Sequence, residues 1–201
     1  MDLIRAYPIV SDQVDAKELE IILLELEKVL KQEVKGDVVE FGCFAGTTSL
    51  FLQRLLLQYG GNKKLHVYDS FAGLPPKTSE DQSPAGEQFK QGELIATKSQ
   101  LIKHFKQAGL PLPTIHKGWF EEFTPDDVPS QISFAFLDGD FYSSILASLR
   151  LVWPRLSPGA TIIVDDYHTE ALPGVRRAIE EWQRTHPCTI RTQASLAIIY
   201  R

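Results

Sequence analysis

Apolar residues recur along the chain in two rhythms, and the rhythms alternate. Leu19, Ile22, Leu23, Leu26, Val29 and Leu30 fall at three- and four-residue steps, the spacing of one helix face. Lys35-Gly36-Asp37 ends that run, and a short apolar strand is predicted over Asp37–Phe41. A turn bracketed by glycine follows, Gly42-Cys43-Phe44-Ala45-Gly46, and then a strongly apolar helix over 47–59 that stops at Gly60-Gly61, a C-terminal signal. Further strands are predicted at 65–68, 114–116, 132–137 and 160–164. Helices are predicted at 97–107, through Ile145, Leu146, Leu149 and Val152, and through Val175, Ala178, Ile179 and Trp182. Residues 188–200 read as two strands with a turn near Gln193. Strands alternating with helices predict an α/β fold, a doubly wound, mostly parallel seven-stranded sheet with an antiparallel hairpin at one edge.

A chain of 201 residues without repeat or linker suits a single domain, 1–201, in which 1–35 supplies a helical cover. The segment 71–92 breaks the pattern with three prolines and three glycines among polar residues. A loop of that length is functional or disordered, so it reads either as a lid that excludes water or as a disordered insertion. The net charge of -5 and pI near 5.6 come without a basic cluster beyond Lys63-Lys64 and Arg176-Arg177, so no nucleic-acid partner is expected. No apolar run reaches the ~18 residues of a membrane span, and the N-terminus has no signal-peptide pattern. Cys43 and Cys188 lack metal-binding or disulfide spacing, which points to a reduced, cytoplasmic protein.

In open α/β sheets, ligands bind outside the carboxyl ends of the strands. Glu40 and Gly42 stand at the end of the first strand, Asp69 at the second, Gly118 after the third, Asp138 and Asp140 at the fourth, Asp165 and Asp166 at the fifth. Four carboxylates on two neighbouring strand ends repel one another unless a cation binds between them, and a hard divalent ion such as magnesium suits oxygen donors. The plainer alternative is solvated loop acids, with Asp140 capping the next helix. The first turn is not the G-x-G-x-x-G of dinucleotide enzymes, which argues against a nicotinamide dehydrogenase. Its glycines admit a close ligand and the next helix offers free N–H groups, while Asp69 could accept from ribose hydroxyls; together they suggest an adenosine-type cofactor. His168 follows the acidic pair and reads as a substrate-side contact, His116 as structural, and Cys43 as a packing residue.

The stretches VVEFGCFAG (38–46), VYDSFAGLP (67–75), GWFEEFTPD (118–126), FLDGDFYSS (136–144), IIVDDY (162–167) and GVRRAIEEW (174–182) run in one order over about 145 residues. In these the chain resembles the macrocin O-methyltransferase (TylF) family of enzymes of sugar-bearing antibiotics. The resemblance implies a class I methyltransferase, Rossmann-like fold. It implies S-adenosylmethionine bound by Glu40, Gly42, Cys43, Gly46, Thr47, Asp69, Ser70 and Asp138, with Gly118 and Trp119 at the adenine end. It implies magnesium or another divalent cation on Asp138, Asp165 and Asp166, with Asp140 as general base. The acceptor would be a small-molecule hydroxyl, a sugar first and a catechol-like phenol second, and a homodimer is the base-rate expectation. The chain departs from the family in a shorter N-terminal segment, in Val175 where cysteine is usual, and in a closing strand without tryptophan. A non-catalytic protein that keeps the cofactor site is the rival reading, and the intact aspartate set argues against it.

Overall fold

The computed structural model describes residues 2–85 and 88–201. The elements run α1 (Asp2–Ala6), α2 (Ala16–Lys31), β1 (Asp37–Phe41), α3 (Thr47–Gln58), β2 (Leu65–Asp69), α4 (Lys98–Gln107) and β3 (Thr114–Lys117). They continue with β4 (Ile132–Leu137), α5 (Tyr142–Val152), β5 (Leu156–Val164), α6 (Pro173–Thr185), β6 (Thr189–Gln193) and β7 (Leu196–Tyr200). The sheet order is β3-β2-β1-β4-β5-β7-β6. β1 to β5 pair in parallel, and β7 runs antiparallel between β5 and β6. This is the doubly wound, mostly parallel sheet of seven strands that the alternating rhythm predicts, with the closing hairpin at the β5 side.

Each element has a local cause. The Asp15 side chain caps α2 by accepting from Lys17 N at 2.8 Å and Glu18 N at 3.1 Å. The predicted apolar face of that helix is then buried, Leu19, Leu23 and Leu26 completely. Glu25 is buried on the same helix and pairs with Arg191 at 2.5 Å and Lys28 at 2.6 Å, tying α2 to the closing hairpin. Thr97 and Gln100 form a capping box at the start of α4. β4 is buried along its whole length, as a central parallel strand covered on both faces must be. Pairing shifts register where β1 begins and again near Ser133, whose hydroxyl donates to Gly36 O at 2.9 Å and so satisfies the irregular edge. β5 begins at Leu156, earlier than its apolar run suggests, because Leu156 pairs with Ile132 across Ser157, Pro158 and Gly159.

α2 and α3 pack together, and so do α5 and α6, leaving the carboxyl ends of β1, β2, β4 and β5 facing one opening. No helix among the described residues is long and apolar enough to cross a membrane.

Ile198 lies in β7 at 0 % exposure, whereas Ile95 is 60 % exposed. Ile198→Ala is expected to cost ~2–5 kcal/mol and Ile95→Ala no more than ~0.5 kcal/mol, read by urea unfolding. Equal effects would mean that β7 does not belong to the cooperative core.

Candidate active site

The first turn carries the strand-end geometry. Gly42 has φ of +86°, and a Cβ there would stand 1.9 Å from the carbonyl oxygen of Asp138, so only glycine lets β1 pass β4 at this point. Gly46 has a different task. A Cβ there would meet Leu101 at 2.3 Å, so this glycine admits α4 against the start of α3. Asp69 braces the turn from β2. Its Oδ2 accepts from Cys43 N at 2.9 Å and Phe44 N at 3.1 Å, and its Oδ1 from Phe71 N at 2.7 Å. The carboxylate thus organises backbone, and only its remaining lone pairs are open to a ligand.

The turn encloses buried polar atoms. Glu40 is fully buried, with one oxygen taking the Ser49 hydroxyl and Oε1 left without a partner; Thr47 Oγ1 is likewise unpartnered. Burial pushes the Glu40 carboxyl up to about 8, with Asp69 adding repulsion and the Ser49 bond opposing both. The Cys43 thiol is buried and pushed up chiefly by that burial, which fits its reading as a packing residue.

A cavity of about 480 Å³ opens over the strand ends. Gly42, Asp69 and Ser70 line one wall, with Trp119 and Phe120 beside them. Asp138, Asp140, Asp165 and Asp166 form its acidic floor. Leu74 and Phe89 enter from the 71–92 segment, and Asp12, Asp15 and Glu18 come from the N-terminal cover. Glu40, Cys43, Gly46, Thr47 and Gly118 stand behind the wall; Gly118 donates its N–H to Asp69 O at 3.0 Å. His168 is exposed and outside the lining, so the structure gives no support to a substrate-side contact. His116 stacks on Tyr68 with ring centroids 4.3 Å apart, a structural position.

On the floor, one oxygen each of Asp138, Asp140 and Asp166 lie within 4.8 Å of one another. Asp165, a ligand the resemblance implies, lies on the same floor but has one oxygen already engaged. Its Oδ1 accepts from Asp166 N at 2.8 Å and from the Ser195 hydroxyl at 3.3 Å, and Ser195 also bonds Glu18. Asp140 does not cap α5, whose cap residue is Phe141 with no capping side chain of its own. Asp140 and Asp166 both adopt φ of +59°, a conformation that costs β-carbon residues energy and persists only where the surroundings impose it. Desolvation, then the neighbouring carboxylates, raises the pKa of Asp138 and Asp140 well above the ordinary range and carries Asp165 to about 7.

The 71–92 segment is closed at its neck. Leu74 N donates to Glu93 O and Gly92 N to Leu74 O, both at 2.9 Å, and Asp81 anchors its middle to Tyr142 N at 2.7 Å. Gly86 and Glu87 lie outside the described residues; the rest forms a pinned loop against the cavity. The sequence reading missed Asp12, Asp15 and Glu18 because residues before the first strand carry no motif. It missed Phe89 because a lone aromatic in a polar loop carries no periodicity.

A family model described as macrocin-O-methyltransferase (TylF) matches residues 11–194. The 8-demethyl-8-(2,3-dimethoxy-alpha-L-rhamnosyl)-tetracenomycin-C 4'-O-methyltransferase of Streptomyces olivaceus is 30% identical over 187 residues, covering 89% of this chain and 70% of its own. The mycinamicin III 3''-O-methyltransferase of Micromonospora griseorubida is 29% identical over 189 residues, covering 90% of this chain and 73% of its own. The solved structure of the O-methyltransferase NovP superposes with a TM-score of 0.80 at 25% identity, covering 94% of this chain and 81% of that one.

Glu40 has a folded-state pKa above that of an unfolded glutamate. Its contribution to stability is therefore full below about pH 4 and is lost as the pH rises through about 8. The ligand-free protein is expected to melt lower at about pH 8.5 than at about pH 5.5, with Glu40→Gln flattening the decline. A melting curve whose pH slope ignores that substitution would show Glu40 ionised in the fold.

Proposed function

The chain belongs to the macrocin-O-methyltransferase (TylF) family, and from that premise we propose that it moves the methyl group of S-adenosylmethionine to a sugar hydroxyl of a secondary metabolite, using a divalent cation. The family makes it an O-methyltransferase. The observation that carries the finer reading is the convergence of Asp138, Asp140 and Asp166 at the floor of the cavity.

The residues suit both groups. The cavity of about 480 Å³ falls in the range of small-molecule and cofactor sites, and Asp69 and Ser70 on its wall offer polar groups to a ligand. Three carboxylates converging in a desolvated floor, with raised pKa values, form the hard oxygen set that a magnesium-like ion takes. Asp138, Asp140 and Asp166 would hold it, with Asp165 fixing the backbone behind Asp166. A bound cation supplies charge that lowers the pKa of an acceptor hydroxyl.

The chain's own residues do the rest. Asp140 belongs to the converging set and would act as the general base that takes the proton of the acceptor hydroxyl. S-adenosylmethionine, when bound, would supply the methyl group, and Gly42, Asp69 and Ser70 on the cavity wall would hold it. Trp119, Phe120, Leu74 and Phe89 give the cavity an apolar wall that would exclude water, and the pinned 71–92 loop holds the last two in place. The two relatives named above methylate hydroxyl oxygens at 4' and 3'' positions by their names, which supports a sugar as acceptor.

Asp140→Asn is expected to lower turnover by ~10²–10⁴-fold while leaving the affinity for S-adenosylhomocysteine within a few-fold. Parallel loss of both would make Asp140 a structural residue. Chelation is expected to abolish methyl transfer to glycoside acceptors and magnesium to restore it; full turnover in chelator would remove the cation from the reaction.

A further inference from the structure

Asp81 is a buried acid that makes no ion pair among the described residues. It is 1 % exposed, and its partners are N–H and O–H donors. Oδ2 accepts from Thr78 N and Thr78 Oγ1, each at 2.8 Å, and Oδ1 from Tyr142 N at 2.7 Å. Tyr142 is the first residue of α5, and the α5 cap residue, Phe141, carries no capping side chain. Asp81 therefore supplies the capping carboxylate that Phe141 lacks, from a loop 61 residues earlier in the chain.

The same carboxylate touches a second helix. A Cβ on Gly174, the second residue of α6, would stand 1.9 Å from Asp81 Oδ1 and 2.9 Å from Tyr142 N. The cap residue of α6, Leu172, also lacks a capping side chain. The loop is fastened nearby as well, by the Ser83 hydroxyl on Glu170 O at 2.6 Å and by Arg177 on Glu80 O.

These two helix starts follow the reactive turns. Asp140 lies two residues before Tyr142, and its left-handed backbone is joined to α5 through Phe141, whose N–H bonds Gly139 O at 2.6 Å. Asp166 leads to α6 through the turn in which Thr169 N bonds Asp166 O at 3.1 Å and Leu172 N bonds Thr169 O at 3.0 Å. A displaced helix start would carry these strained turns with it.

We propose that Asp81 is a positioning residue for methyl transfer: by capping α5 against the first turn of α6, it fixes the spacing between Asp140 and Asp166. This rests on the reading of those carboxylates given under the proposed function. It also explains why residue 174 is glycine, since any side chain there would displace the carboxylate.

The test is hydrogen–deuterium exchange together with steady-state kinetics on Asp81→Ala, Asp81→Asn and Gly174→Ala. Asp81→Ala and Gly174→Ala are expected to speed exchange roughly tenfold in residues 138–146 and 166–176 and to leave residues 40–50 unchanged. Turnover should fall roughly 10- to 100-fold with little change in KM for S-adenosylmethionine, because the neck at Leu74 and Glu93 does not use Asp81. Asp81→Asn keeps an oxygen for Tyr142 N and should recover most of the protection. Unchanged exchange at both helix starts overturns the proposal, and so does exchange that rises throughout the chain, the mark of a general folding role. If the wild-type protein methylates no glycoside, the functional reading fails, while the exchange data still decide whether Asp81 sets the two turns.

Discussion

Repulsion among carboxylates is the constraint around which this molecule is built. Three of them converge within 4.8 Å on the floor of a cavity, where little water screens them. Left to themselves they would separate. The sheet prevents it, because β4 and β5 are paired to their last residues, Leu137 with Val164, and the backbone beyond continues the pairing. Asp138 N bonds Phe41 O at 2.8 Å, and Asp165 N bonds Leu137 O at 3.0 Å. The apolar interior of the sheet thus supplies the stability that holds these carboxyl groups together, and a bound cation would favour their charged forms.

Hydrogen-bond satisfaction divides the acids into two kinds. Asp69 takes three backbone N–H groups and shapes the glycine turn. Asp81 takes Thr78 and Tyr142 and joins two helices. Asp165 takes Asp166 N and Ser195. Each orders the groups around it through these bonds. Asp138 and Asp140 stand at the cavity floor, where burial first and the neighbouring carboxylates second raise their pKa values and disfavour their charged forms. Asp166 lies between the two kinds, with one oxygen bonded to the Thr169 hydroxyl at 2.6 Å and membership of the converging set.

This division explains what the sequence could and could not reveal. Rhythm alone located β1, β4 and the buried face of α2, because burial acts on every residue of those elements. It also put the acids at the strand ends, since topology fixes that end as the ligand side. Rhythm could not sort the acids, because Asp138, Asp140, Asp165 and Asp166 look alike in a string, and only the fold brings Ser195 to Asp165. Asp81 was invisible for a related reason. It is a polar residue in a polar loop, and its burial depends on partners 61 residues away. The helix α1 escaped as well, being only five residues long, too short to show a period.

The charge balance of the cavity ties these parts together. Eight carboxylate side chains line it, from Asp12, Asp15 and Glu18 of the cover to Asp69 and the four aspartates of the floor, and no lysine or arginine is found among the described lining residues. Asp15 and Glu18 are partly engaged, one capping α2 and the other bonded to Ser195, yet the excess remains large. The protein therefore leaves positive charge to be brought by what binds. A sulfonium cofactor and a divalent cation each bring it, and each would bind more weakly if the wall supplied its own cations. The acids that precede β1 and those of the floor, far apart in the chain, then have a common reason to face the same space.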